Sequence, residues 1–338
     1  MRRWRPWLIS FAVTGSIFWY LLSQIDPAEL VATARSMTPR YLWAFVSLLL
    51  AGVAARAVRF WLLLDRAAPL TLLTLIVMAR NMFVDLLPAR LGELSYVYLV
   101  TQRAGRPAED GLASLFLAVL FDLIALAPLL ILAVLVVGGD GALSVPLLAG
   151  AASVLGVLAY TSMRVAAPLG TWVAGWIAPD GTAPWRARAA QLIRRTVGAL
   201  RGVQSRRIFG RVLMVSMVVR LCKFGSYYFL VLAIMGPLGY PTDLATSGEL
   251  EGGLGFFHVF LGVVSAELAA ALPIPSVGSF GTFEAAWAFS FSQLGFSTED
   301  AIISGILAHV VSQLVEYSFG IGALLYVMRP GARSLTPH

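Results

Sequence analysis

Six uninterrupted apolar runs divide the chain, and each is long enough to cross a lipid bilayer. They lie at about residues 7–25, 41–64, 110–137, 144–165, 209–236 and 300–328. Because a transmembrane helix needs about 20 consecutive apolar residues, each run predicts one membrane-spanning helix. Most connections between the runs are short. The pattern therefore predicts an all-α polytopic membrane protein, with a single integral domain over residues 1–338.

Two further apolar stretches, 70–102 and 252–295, are interrupted by proline and glycine. The residues that break them are Pro88 and Gly92 in the first stretch, and Pro275, Gly278 and Gly281 in the second. Proline removes a backbone donor and glycine disfavours helix, so each break unwinds the backbone near membrane depth. Unwound backbone is tolerated there only where protein or a water-filled cavity covers it. Each stretch therefore predicts a helical hairpin, either re-entrant or fully crossing.

Composition supports the membrane assignment and excludes several other classes of protein. Hydrophobic residues make up 59% of the chain and charged residues 13%, whereas soluble domains average about 45–50% and about 25%. The single cysteine, Cys222, excludes an internal disulfide, and the three histidines show no zinc-ligand spacing. The sequence contains no P-loop. It predicts no metal site and no cofactor.

The distribution of arginine predicts how the chain is oriented. Arginines crowd residues 1–5, 186–211 and 329–333, whereas the loops 138–144 and 237–251 contain neither lysine nor arginine. Because short basic loops stay on the cytoplasmic side, both termini are predicted to be cytoplasmic, in the inner (cytoplasmic) membrane of the cell.

The basic segment at about 175–208 has a pattern of its own. Apolar and small residues recur there at helical spacing among the arginines: Ala189, Leu192, Thr196, Leu200 and Val203. This periodicity predicts an amphipathic helix lying on the anionic cytoplasmic leaflet. The alternative is a solvated basic linker.

The two halves of the chain share an order of features that predicts an internal repeat, with repeat one at about 41–137 and repeat two at about 209–328. In each repeat, two basic residues three apart precede the hairpin and an acidic dipeptide follows it. These residues are Arg56, Arg59, Glu109 and Asp110 in the first repeat, and Arg220, Lys223, Glu299 and Asp300 in the second. The predicted topology runs the repeats in opposite directions, as in many transporters. The alternative is that such breaks are simply common in membrane helices.

Ionisable residues inside the apolar stretches are candidate site residues, because placing charge in the bilayer is costly. The basic candidates are expected to bind a lipid phosphate, which suits paired arginines; they are Arg56, Arg59, Arg90, Arg220 and Lys223. The acidic candidates, for a cationic part of the headgroup or a proton, are Glu93, Asp122 and Glu284. The alternative is internal ion pairing, for instance between Arg90 and Glu93.

A second polar group lies in the last apolar run. His309, Gln313 and Glu316 share one helix face. They predict either a proton relay or a buried hydrogen-bonded cluster.

The motifs around the two breaks resemble those of a known family. The runs Leu87-Pro88-x-Arg90-x-Gly92-Glu93 and Pro275-Ser276-x-Gly278-x-x-Gly281-x-x-Glu284, with Asp122 between them, resemble the lysylphosphatidylglycerol synthase/flippase transmembrane region over about residues 7–330. That family includes stand-alone membrane proteins and the flippase half of two-part synthases that aminoacylate phosphatidylglycerol. The aminoacyl-transferase domain is absent from this sequence. The resemblance therefore implies lipid handling or transport without the synthase reaction.

The favoured function is flippase-like translocation of an anionic, aminoacylated or polyprenyl-linked lipid headgroup. The partners expected are that membrane lipid and a separate lipid-modifying enzyme, with no nucleic acid. The first alternative is a membrane-embedded transferase acting on lipid-linked substrates, with Glu93 or Glu284 as its base. The second is a non-catalytic protein that presents lipid to a separate enzyme.

Overall fold

The computed structural model describes residues 5–87, 91–137, 144–178, 183–205, 208–242, 254–270 and 280–329, and this part of the chain is helical apart from turns and connections. The all-α prediction is confirmed for these residues. The helices are α1 Arg5–Leu22, α2 Pro27–Ser36, α3 Pro39–Leu63, α4 Leu70–Leu86, α5 Glu93–Arg103, α6 Ala108–Val137, α7 Ser144–Ile177, α8 Pro184–Ser205, α9 Phe209–Met235, α10 Phe256–Ala270, α11 Thr282–Gln293 and α12 Thr298–Val327.

Four of the described helices, α3, α6, α9 and α12, are long and apolar enough to cross a membrane. They contain 25, 30, 27 and 30 residues, so at 1.5 Å per residue they extend roughly 38–45 Å and exceed the hydrocarbon core of about 30 Å. They correspond to four of the six predicted runs. Helices α1 and α7 cover the other two runs, and a count of six crossings stays a prediction.

Helices end and restart at both predicted breaks. Helix α4 ends at Leu86 and α5 begins at Glu93, while α10 ends at Ala270 and α11 begins at Thr282. Three predicted break residues, Pro88, Pro275 and Gly278, lie outside the described residues, as does Arg90, a predicted phosphate-binding residue.

Glycine is required at both breaks for different physical reasons. A Cβ on Gly92 would lie 1.9 Å from the carbonyl oxygen of Phe83, so only glycine allows the chain to pass α4 this closely. Gly281 has φ +86°, a backbone conformation that favours glycine, and it stands directly before α11. Helix α11, the second helix of this hairpin, therefore begins directly after a glycine.

The chain divides into two compact units. Unit 1 comprises Met1–Ala51, Arg80–Glu93 and Leu221–Ile321; unit 2 comprises Gly52–Ala79, Leu94–Arg220 and Gly322–His338. Each unit contains residues from both predicted repeats, so the units do not correspond to the repeats. The inverted repeat stays a prediction from the order of features in the sequence.

In unit 1, α10 packs against α11 around aromatic side chains. The Trp287 ring is fully buried and stacks on Phe291 with the ring centroids 4.6 Å apart. Gly262 of α10 faces that second ring: a Cβ there would lie 2.4 Å from Phe291. The hairpin is held together by close contact between this glycine and the aromatic ring.

In unit 2, helix α8 covers most of the basic segment predicted at 175–208, and it packs against α6 and α7. Its buried side chains are Ala190, Val197 and Leu200. Gly170 of α7 leaves room for Val197, because a Cβ there would lie 2.5 Å from its methyl carbon. Leu200 belongs to the predicted apolar face, but Leu192 of that face is 40% exposed. The buried side of α8 therefore differs from the predicted face, and the arginines lie on the exposed side.

Candidate functional site

Three charged side chains from three candidate membrane spans meet in unit 2. Arg59 of α3 donates from Nη1 and Nη2 to the two carboxylate oxygens of Asp122 of α6, at 2.6 and 3.3 Å. Arg220 of α9 forms an ion pair with the same carboxylate, with Nε 3.5 Å from Oδ1. We call Arg59, Asp122 and Arg220 the arginine cluster.

The arginine cluster lies within candidate membrane spans, and two of its three residues are near the middle of their helices. Asp122 is at the midpoint of the 30-residue helix α6, and Arg220 is near the middle of α9. Arg59 lies four residues before the end of α3, and its side chain is 3% exposed. Ser216, one helical turn before Arg220, is fully buried with its Oγ 3.3 Å from Arg59 Nη1. The cluster is therefore built by helix positions that a membrane would surround.

The electrostatics of the cluster favour an anion. Two guanidinium groups share one carboxylate, and Arg56 adds to the positive field at Asp122. Within the described residues, the buried Nε atoms of Arg59 and Arg220 form no hydrogen bond. A buried donor without a partner costs about 1–3 kcal/mol. An anionic oxygen placed beside these guanidinium groups would supply charge and acceptors together.

Two other predicted site residues are held by ion pairs inside unit 1. Lys223 lies 2.5 Å from Glu267 (Nζ to Oε1). Glu93, the first residue of α5, accepts from Arg80 Nε at 2.8 Å and also from its Nη2. Glu93 is therefore paired with Arg80 of the preceding helix, and the alternative partner Arg90 lies outside the described residues.

Glu284 is fully buried at the start of α11 and has two partners. The backbone N–H of Gly281 donates to its Oε2 at 2.7 Å, and His309 Nδ1 lies 2.6 Å from its Oε1. Gln313 Nε2 lies 2.6 Å from the other ring nitrogen of His309. With a neutral ring protonated at Nδ1, this arrangement gives a continuous hydrogen-bonded chain of Glu284, His309 and Gln313.

Glu316, predicted to accompany His309 and Gln313, lies close to the Asp85 side chain in unit 1. Among the described residues, no group of three or more His, Cys, Asp and Glu side chains is arranged to hold a metal ion.

Sequence reasoning identified the charged residues but missed Ser216 and most of the pairings. Ser216 carried a usable signal, because it lies four residues before Arg220 on the same helix face. The contact between Asp85 and Glu316 joins residues 231 positions apart. Helical spacing within one segment contains no information about such a contact.

At the start of α12, a polar contact lies outside the apolar part of the helix. Ser297 accepts from the backbone N–H of Asp300 at 3.0 Å and donates to its carboxylate at 2.5 Å. Tyr240 also donates to that carboxylate, at 2.8 Å. Burial and this hydrogen bond raise the pKa of the Tyr240 hydroxyl. The contact ties the loop after α9 to the first turn of α12.

Comparison with known families gives one match over most of the chain. The family model for the lysylphosphatidylglycerol synthase TM region matches residues 7–320. A search of curated proteins finds no significant relative.

Proposed function

We propose that this chain, which belongs to the lysylphosphatidylglycerol synthase TM-region family, translocates the headgroup of an anionic, aminoacylated or polyprenyl-linked lipid between leaflets. Family membership and four apolar helices make it a multi-pass membrane protein concerned with lipid handling. The observation that supports translocation is the arginine cluster, which holds two guanidinium groups around one carboxylate inside candidate spans.

The first step proposed is binding of a lipid phosphate by Arg59 and Arg220. A planar guanidinium matches two phosphate oxygens, and each cluster arginine has a buried Nε that forms no hydrogen bond among the described residues. Asp122 holds both arginines in place while no anion is bound. An incoming phosphate competes with that carboxylate for the same donors.

The second step is movement of the headgroup while the acyl chains stay in the bilayer. A bare phosphate in hydrocarbon is very costly, because its charge loses hydration. Guanidinium groups inside candidate membrane-spanning helices replace part of that hydration. In this proposal Glu93 and Glu284 make no direct contact with phosphate, since Arg80 and His309 already hold them.

The proposed orientation places both termini in the cytoplasm of the inner membrane, with the two hairpins entering from opposite sides. The uneven distribution of arginine supports it. Lys223 keeps its proposed phosphate role only if the ion pair with Glu267 opens during transport.

The test is transbilayer movement in liposomes that contain the purified protein and no ATP. Fluorescent phosphatidylglycerol, phosphatidylcholine and an aminoacylated phosphatidylglycerol are each placed in both leaflets, and an impermeant reductant reports the accessible fraction over time. We expect the protein to accelerate exchange of at least one charged lipid over phosphatidylcholine. Arg59→Lys, which keeps the charge but loses the fork of donors, should slow that exchange at least tenfold.

Arg35→Lys is the matched control, since Arg35 is exposed on α2. Equal exchange rates in wild type, Arg59→Lys and protein-free liposomes would contradict the proposal. A new lipid species in the mass spectrum of the liposome extract would favour the transferase alternative.

A further inference from the structure

Helix α8 of unit 2 presents an exposed arginine face that the proposed translocation does not use. Five arginines are exposed along it: Arg186, Arg188, Arg194, Arg195 and Arg201. Two pairs lie seven residues apart, so Arg188 and Arg195 form one stripe and Arg194 and Arg201 form another. Gln191 and Gly198 lie between the stripes and are also exposed.

The opposite side of α8 packs against other helices of unit 2. Ala190, Val197 and Leu200 are buried where the helix contacts α6 and α7. Arg195 Nη1 also lies 3.1 Å from Glu109 Oε1, in the first turn of α6. These contacts fix the direction of the arginine face, whose arginines are exposed.

The position of α8 along α6 corresponds to headgroup depth. Asp122 is 13 residues beyond Glu109 on the same helix, which corresponds to about 20 Å at 1.5 Å per residue. A bilayer measures about 40–45 Å with its headgroups. If Asp122 is near the centre of the membrane, Glu109 and its partner on α8 lie among the headgroups.

Exposed tryptophans around the junction of α7 and α8 support the same depth. Trp172 and Trp176, one turn apart at the end of α7, are 67% and 75% exposed, and Trp185 at the start of α8 is 66% exposed. Tryptophan is enriched at the boundary between hydrocarbon and water. Large exposed indole rings beside a row of arginines are typical of a surface that touches lipid headgroups.

We propose that the arginine face of α8 is a docking surface for anionic phospholipid headgroups of the adjacent leaflet. Within the described residues, Arg188, Arg194 and Arg201 form no ion pair, so their charges are available to phosphate. Juxtamembrane basic segments attract anionic lipids over roughly a Debye length. The surface concentrates anionic lipid beside unit 2. The further step, in which this lipid becomes the substrate for translocation, rests on the proposed function.

The experiment measures lipid contact directly and needs no transport. In a Cys222→Ala background, a cysteine at Gln191 carries a fluorophore between the two arginine stripes. The protein is placed in nanodiscs with equal mole fractions of phosphatidylglycerol and phosphatidylcholine, one of which carries a nitroxide near the headgroup end of its acyl chain. We expect nitroxide-labelled phosphatidylglycerol to quench at least twofold more strongly than labelled phosphatidylcholine, and 0.5 M salt to reduce that preference.

The triple variant Arg188→Gln, Arg194→Gln and Arg201→Gln should lose the preference, whereas the same positions changed to lysine should retain it. Arg35→Gln on α2 is the control for a change of net charge elsewhere. Should the triple glutamine variant fail to fold, Arg188→Gln alone and the salt titration carry the test. Equal quenching by the two lipids in the wild type, or an unchanged preference in the glutamine variants, would overturn the docking surface whether or not the protein translocates lipid.

Discussion

Replacing Asp122 by asparagine tests the arginine cluster with the smallest change of shape. Asparagine keeps the size of the side chain and one acceptor oxygen, but it removes the negative charge between Arg59 and Arg220. In the wild type, Asp122 accepts two hydrogen bonds from Arg59 and forms an ion pair with Arg220. The variant therefore leaves two guanidinium groups facing each other without their counter-charge.

The size of the effect follows from these contacts. A hydrogen bond to a charged partner contributes about 1.5–3 kcal/mol, so replacing the second acceptor oxygen by an amide nitrogen removes roughly that amount from the contact with Arg59. Breaking a fully buried ion pair costs about 3–5 kcal/mol. The Asp122 side chain is 24% exposed, so the lower range applies. Asp122→Asn should lower the thermal midpoint by several degrees in lipid-free detergent.

The same variant should respond more strongly to an anionic lipid than the wild type does. A phosphate no longer competes with Asp122, and a ligand at 100 times its Kd stabilises the protein by about 2.7 kcal/mol. Thermal unfolding in micelles with phosphatidylglycerol or phosphatidylcholine measures this. We expect phosphatidylglycerol to restore most of the lost stability and phosphatidylcholine to restore little.

Asp110→Asn is the matched control, because Asp110 pairs with Arg106 on the partly exposed first turn of α6. An i,i+4 pair of this kind contributes about 0.3–0.5 kcal/mol. An Asp122→Asn protein as stable as the wild type would refute the calculated ion-pair contribution. Equal stabilisation of both proteins by phosphatidylglycerol would refute competition between Asp122 and phosphate.

Three further predictions address the hairpins and the loop after α9. Gly92→Ala should destabilise the protein by at least about 1–3 kcal/mol, because the new Cβ would collide with the Phe83 carbonyl. Gly198→Ala on α8 is the control and should not destabilise it, because a Cβ there has open space. Thermal unfolding measures both variants. The raised pKa of Tyr240 means that its contact with Asp300 stabilises fully below about pH 10 and is lost as the pH rises through the raised value. Tyr240→Phe should flatten that alkaline loss of stability, and an unchanged curve of stability against pH would contradict the contact. Single cysteines at the exposed residues Gln102 and Thr298, in a Cys222→Ala background, should react with an impermeant thiol reagent. The cysteine at 102 should react from the cytoplasm and the cysteine at 298 from the outside. Labelling of both cysteines from the same side of the membrane would contradict the inverted-hairpin topology.

Hydropathy predicted the long helices well because length and apolarity are local properties of the chain. The runs at 41–64, 110–137, 209–236 and 300–328 became α3, α6, α9 and α12. The sequence also predicted a helix break at Gly92. Only the structure gives the physical reason, which is that a Cβ on Gly92 would lie 1.9 Å from the Phe83 carbonyl oxygen.

The pairing of charges was not predictable from the sequence, because each charge has several partners of opposite sign within the apolar segments. Arg59 and Lys223 occupy matched positions in the predicted repeats, but Arg59 pairs with Asp122 and Lys223 pairs with Glu267. Periodicity likewise predicted helix α8 but not its buried face, because Leu192 of the predicted face is exposed whereas Ala190 and Val197 outside it are buried. It contained no information on whether the buried face rests on lipid or on helices α6 and α7, since both are apolar.

An electron cryomicroscopy structure in phosphatidylglycerol nanodiscs would show whether a lipid phosphate binds between Arg59 and Arg220. An antibody fragment adds the mass that a chain of 36.3 kDa lacks for particle alignment. We expect headgroup density with its phosphate within hydrogen-bonding distance, about 3 Å, of both guanidinium groups. That density should be absent from an Arg59→Lys structure prepared in the same way. Closely packed apolar side chains around Arg59, with ordered headgroups only at the membrane surface, would contradict it.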